Sequence, residues 1–106
     1  MAKFLLKASY TTDGVKGVMM DGGTGRRDAV QKLIEGAGGK MEAFYFAFGD
    51  ADVYVIADLP DNQAAISASL NITAAGGARF ATIILLTPEE FDGAVGKSID
   101  YKAPGA

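Results

Sequence analysis

The stretch FGDADVYVI, residues 48–56, places two carboxylates, Asp50 and Asp52, one residue apart between apolar runs. One carboxylate beside another can have a raised pKa, and such a group can act as a general base toward a small carbonyl or phenolic substrate. A Gly-Asp sequence is also typical of a hairpin turn, because aspartate bonds its own backbone there. The turn is the favoured interpretation. Asp52 is the better catalytic candidate of the two because it borders a predicted strand.

Three tyrosines lie near this stretch along the predicted strands. Tyr45 and Tyr54 flank the hairpin, and Tyr10 ends the first strand. Phenols can line one end of a pocket as hydrogen-bond donors or weak acids. We therefore predict Tyr54 as a proton donor beside Asp52, with Tyr10, Tyr45 and Asp50 as ligand contacts. The simpler alternative is that these aromatic side chains belong to a core or an interface.

Arg26 and Arg27 follow the glycine-rich run MMDGGTG at the start of a helical segment. Guanidinium groups and free backbone N–H groups at such a place can hold a carboxylate or a phosphate. The spacing matches neither a P-loop nor the G-x-G-x-x-G fingerprint, so a solvated helix start is the favoured interpretation. If the ligand is anionic, Arg27 and Arg79 are the predicted contacts.

The composition excludes several classes of site. The chain has no Cys and no His, which removes thiolate nucleophiles, disulfides, imidazole bases and imidazole metal ligands together. No metal site is predicted and no cofactor is implied. The net charge is -3 with scattered basic residues, so no nucleic acid is expected as a partner. No apolar run is long enough to span a bilayer, and a cytoplasmic protein is expected.

The elements that must position these residues follow from the periodicity of apolar side chains. Alternation predicts strands over residues 3–10, 40–48, 53–59 and 79–86. Helical spacing over residues 12–20 and again over 24–37 predicts a first helix that breaks or kinks at Gly22-Gly23 between them. A second helix is expected from the N-cap Asp61 to Ala75 with Ile66, Leu70 and Ala74 on its inner face. The sequence TPEE, residues 87–90, has the capping-box pattern of a third helix.

This order predicts an α+β fold of the ferredoxin-like type, βαββαβ with a four-stranded antiparallel sheet, helices on one face and an extra C-terminal helix. Residues 1–97 are expected to form one domain and residues 98–106 a tail. At 106 residues the chain has room for a single core.

Both faces of the predicted sheet carry large apolar groups. In the fourth strand Ile83 and Leu85 alternate with Ile84 and Leu86. In the second, alternation opposes two sets of side chains: Phe44, Phe46 and Phe48 against Met41, Ala43 and Tyr45. Covering each such side chain recovers about 1.5–3 kcal/mol. We therefore expect a homodimer that pairs two sheets through their open faces as an α+β barrel, with Phe46 at the interface. The alternative is that the third helix folds over the open face.

Three segments resemble the GYD-domain family: SYTTDGVKG at residues 9–17, GGKMEAFYFAFGDADVYVIADLPDN at 38–62 and LLTPEEFDGAV at 85–95. The resemblance covers residues 4 to about 97. It implies a bacterial protein with a dimeric α+β barrel fold. The element that names the family is similar to Gly49-Asp50-Ala51-Asp52 here, with Ala51 at the tyrosine position. The resemblance says little about activity.

Two functions from different classes agree with these features. The first is a homodimeric small-molecule-binding or stress-associated protein, which could assemble further through its edge strands. The second is a cofactor-independent or flavin-assisted oxygenase or isomerase that acts on a small organic substrate. A purely structural subunit is a third possibility. The sequence brings no converging set of titratable groups into view, which favours binding over catalysis.

Overall fold

The computed structural model describes residues 1–106. Seven elements follow one another: β1 (Ala2–Tyr10), α1 (Thr12–Gly36), β2 (Lys40–Phe46), β3 (Val53–Leu59), α2 (Asn62–Ala75), β4 (Ala78–Leu85) and α3 (Pro88–Val95). The four strands form one sheet in the order β2-β3-β1-β4, and all neighbouring strands are antiparallel. The predicted α+β, ferredoxin-like fold is confirmed.

The core lies between the sheet and the first two helices. Alternate residues of the two central strands point into it, and their side chains are almost completely buried: Phe4, Leu6 and Ala8 on β1, and Val53, Val55, Ala57 and Leu59 on β3. Ile34 of α1 and Ala65 of α2 close over them. We call this side of the sheet the helix side and the opposite side the open face.

Helix α1 bends where the glycine pair predicted a break. Gly22 has φ 76° and ψ 166°, which interrupts the helical backbone between two helical halves. Only Ile34 is buried along the whole element. Met19 and Met20 on the first half are both exposed, at 80% and 87%.

Helix α2 has the predicted ends but a different inner face. Asp61 is the N-cap and accepts a 2.8 Å hydrogen bond from the Ala64 N–H. The buried residues are Ala65 and Ala68, whereas Ile66 and Leu70 are 57% and 63% exposed. The expected inner face was therefore wrong. Small alanines face the core because α2 lies close to the sheet, and the larger side chains point outward.

A β-bulge in β2 alters the second predicted alternation. The register shifts between Met41 and Ala43, which places Met41 on the same side as Phe44 and Phe46. Phe46 lies on the helix side, where its ring approaches Gly23 of α1. The expectation that Phe46 belongs to an open-face interface was therefore wrong. A bulge adds one residue to a strand and reverses the facing of all that precede it.

Helix α3 does not cover the open face of its own chain. Every residue from Pro88 to Ala106 is exposed, and the residues after Gly96 form no further helix or strand. The alternative in which the third helix folds over the sheet was wrong for the single chain. None of the helices has an apolar stretch long enough to cross a bilayer.

Candidate functional site

One cavity of the chain lies between α1 and α2, at the end of the sheet where β1 stops and β4 begins. Its volume is about 460 Å³, which lies within the range of small-molecule sites. One part of its wall is apolar, and both halves of α1 and the end of α2 contribute to that part: Val18, Ala29, Val30, Leu33, Ile72 and Ala75.

Besides the Asn71 amide, four titratable side chains line this cavity, which we call the helix-side pocket. They are the Tyr10 phenol, the Arg26 guanidinium and the carboxylates of Asp13 and Asp21. The Arg26 Nη1 lies 3.4 Å from the Asp21 Oδ2, an ion pair that spans the kink in α1. The pocket therefore offers one cation, one phenol donor and two anionic acceptors beside an apolar wall.

The Tyr10 phenol is a donor at neutral pH. Burial raises the pKa of the Tyr10 phenol above its ordinary value, because the phenolate would lose solvation. The Arg26 guanidinium works against this shift in the Tyr10 pKa, and the Asp52 carboxylate adds to it. Tyr10 can thus donate a hydrogen bond to a bound acceptor. It is a poor candidate for a general base, because its raised pKa disfavours the phenolate.

Two backbone features place this pocket. The Thr11 N–H donates a 2.8 Å hydrogen bond to the Gly77 carbonyl, which fixes the start of α1 against the turn before β4. Gly14 then lies so close to Gly77 that any Cβ at Gly14 would overlap the Gly77 carbonyl oxygen. The kink at Gly22 turns the second half of α1 so that Arg26 points back toward Tyr10.

Asp52 has a structural partner. Its Oδ2 accepts a 2.8 Å hydrogen bond from the Tyr10 N–H, and its own N–H donates to the Ala8 carbonyl at 2.8 Å. These bonds tie the β2–β3 connection to the end of β1. They give Asp52 a structural role, but through a bond to the end of β1 and not through the local turn bond that was expected. They also place Asp52 beside Tyr10, a residue of the pocket wall.

The structure separates the remaining predicted site residues. Arg27 turns away from the pocket and pairs with Asp28 at 3.2 Å. Asp50 and Arg79 line a smaller cavity of about 300 Å³ together with Lys7. Tyr45 and Tyr54 are register partners on the open face. Only Tyr10 among the predicted residues lies in the helix-side pocket, so the structure does not bring the predicted set together.

The open face carries an apolar row that crosses all four strands. Ala43 pairs with Ile56, Ile56 with Leu5, and Leu5 with Ile83. Beside this row Lys3 forms ion pairs with Glu42 at 2.8 Å and with Asp58 at 3.0 Å. On its other side Lys7 lies 5.8 Å from the centre of the Tyr54 ring. In the two rows that border the apolar row, Lys3 is therefore paired with carboxylates and Lys7 lies over an aromatic ring.

No group of three or more acidic side chains lies close enough to hold a metal ion.

The family model of the GYD domain matches residues 4–95 of the chain. The chain belongs to the GYD domain family. No curated protein and no solved structure matches it significantly.

Within this GYD domain, Ala51 stands between the two aspartates and is 3% exposed. Arg26 was named beside Arg27 as a possible anion contact, but only Arg27 was predicted to bind the ligand, and Asp21 was not predicted at all. Their signal was the same glycine-rich run that drew attention to Arg27, since a kink at Gly22 brings residues on either side of it together. Which of the two adjacent arginines faces inward depends on the rotation of the second half of α1.

Proposed function

We propose that this GYD-domain protein is a homodimer that binds a small organic molecule in the helix-side pocket. The observation that carries the proposal is the convergence of Tyr10, Arg26 and Asp21 on a cavity with an apolar wall. Binding sites commonly combine an apolar surface with a few oriented polar groups.

The chemistry of the pocket favours a ligand with an apolar body and an acceptor or anionic group. The apolar body contacts Val30, Leu33 and Ile72. The acceptor or anion takes hydrogen bonds from Arg26 and from the Tyr10 phenol, whose pKa burial raises further above the neutral range. A ligand that competes for Arg26 displaces Asp21, whose ion pair with Arg26 is a long 3.4 Å.

The positions of the two predicted catalytic residues, Asp52 and Tyr54, favour binding over the oxygenase or isomerase alternative. Asp52 accepts a hydrogen bond from the Tyr10 backbone, and Tyr54 lies on the opposite face of the sheet. The two predicted catalytic residues therefore do not share a cavity. A cytoplasmic location and a role in stress remain parts of this proposal that come from the sequence alone.

The homodimer is supported by the open face. Its central row is apolar on every strand, and Ile83 and Tyr45 are 40% and 71% exposed there. Such a surface is typical of an interface. Pairing two open faces leaves each helix-side pocket free for its ligand.

The pocket can be tested with 8-anilinonaphthalene-1-sulfonate, an aromatic sulfonate that has the proposed ligand chemistry and fluoresces when bound. Arg26→Gln removes the inward cation, and we expect the dissociation constant to rise by roughly tenfold. Arg27→Gln is the matched control, because Arg27 points outward and should leave the affinity unchanged. Equal affinities of the wild type and Arg26→Gln would contradict the proposal, as would an equal loss in both variants, which would reflect net charge alone.

A further inference from the structure

Helix α3 is well formed but has no partner in its own chain. The Thr87 hydroxyl accepts a 3.1 Å hydrogen bond from the Glu90 N–H, and the Glu90 carboxylate accepts one of 3.0 Å from the Thr87 N–H. This capping box fixes the start of the helix. The helix nevertheless has no buried residue and packs substantially on no other element.

The shape of the chain shows the same separation. The radius of gyration is 16.9 Å and the longest extent 57 Å, whereas a compact domain of this length has a radius of gyration of about 13 Å. The helix and the residues after it extend away from the sheet, since all are exposed.

One face of α3 is apolar. Phe91 and Val95 lie four residues apart and are 58% and 68% exposed, so they form one stripe along the helix. Two carboxylates flank this stripe, Glu90 on one side of Phe91 and Asp92 on the other, because adjacent helical residues point about 100° apart. The surface on which this helix packs should therefore be apolar, with basic side chains at its border.

We propose that α3 of each chain docks on a second copy of this chain, along the β4 edge of its open face. This inference rests on the homodimer proposed above. The open face has a complementary charge at that edge, because Arg79 on β4 forms no salt bridge. The ammonium group of Lys7 on neighbouring β1 also has no carboxylate partner, although it lies over the Tyr54 ring. The adjoining apolar surface is supplied by Ile83 and Leu5.

The path of the chain also favours this partner. Helix α3 begins three residues after Leu85, the last residue of β4, whose register partner Lys3 lies on the open face. The helix thus leaves the sheet at the border of the surface that pairs with the second copy. A twofold axis through that surface lets the two helices dock reciprocally.

The test is the dimer dissociation constant, measured by sedimentation equilibrium on the full chain. The double variant Phe91→Asp/Val95→Asp places charges on the stripe, and we expect the dissociation constant to rise by about tenfold or more. The control Ile66→Asp/Leu70→Asp changes two exposed residues of α2 with the same spacing and should leave the constant unchanged.

The outcomes separate this inference from the proposal on which it rests. If the double variant dimerises as tightly as the wild type, α3 does not dock on the second copy, and the homodimer stands without it. If the wild type is a monomer at every concentration, both fail. Because all four substituted residues are exposed and none belongs to the core, circular dichroism should show the same folded domain in both variants.

Discussion

At Asp52 a single carboxylate holds the β2–β3 connection onto the end of β1, through its hydrogen bond with the Tyr10 N–H. Removing the acceptor leaves a half-buried donor unsatisfied, so we expect Asp52→Ala to lower the free energy of unfolding by about 1–3 kcal/mol. Asp50→Ala is the matched control, since Asp50 is exposed and makes no such bond, and its effect should stay within about 0.5 kcal/mol. Urea denaturation measures both. Equal effects of the two substitutions would show that the bond does not hold the turn.

The same residues show how far single positions could be predicted. The connection between β2 and β3 and the place of Tyr10 at the end of β1 could be predicted from local chemistry and from the strand pattern. Arg26 was not distinguished from Arg27, because adjacent helical residues point about 100° apart and the kink at Gly22 decides which one faces the pocket.

At the scale of elements, the contact of Gly14 with Gly77 joins α1 to the start of β4 and forms one end of the pocket. A methyl group at Gly14 meets backbone rather than a flexible side chain, so the two segments must separate. We expect Gly14→Ala to cost about 1–3 kcal/mol of stability and to weaken binding of the sulfonate probe. Gly17→Ala, for which the added Cβ meets no neighbouring atom, is the control and should be neutral or stabilising. Thermal unfolding that ranks the two variants the other way would exclude this contact as the cause.

Element order and several element ends were predictable because capping residues and glycines are local signals. Asp61 and Thr87 mark the helix starts that were expected, and Gly22 marks the expected break in α1. The facing of side chains was less predictable. The bulge between Met41 and Ala43 and the alanine face of α2 both depend on how closely neighbouring elements pack, which the periodicity of one segment does not contain.

At the scale of the whole molecule, the two sides of the sheet have different proposed tasks. The helix side holds the pocket, and the open face receives a second copy. β4 offers a matched pair of positions for separating them, because Ile83 lies on the open face and its neighbour Ile84 on the helix side, 40% and 59% exposed. We expect Ile83→Asp to prevent dimerisation by placing an uncompensated charge in the interface, and Ile84→Asp to leave the dimer intact.

Native mass spectrometry of the wild type and these two variants, with 8-anilinonaphthalene-1-sulfonate added, tests both tasks in one spectrum. The wild type and Ile84→Asp should be dimers that carry one probe molecule per chain. Ile83→Asp should be a monomer that still carries one probe molecule, because its pocket lies on the other side of the sheet. A monomeric wild type, a dimeric Ile83→Asp, or an Ile83→Asp monomer without the probe would contradict the account.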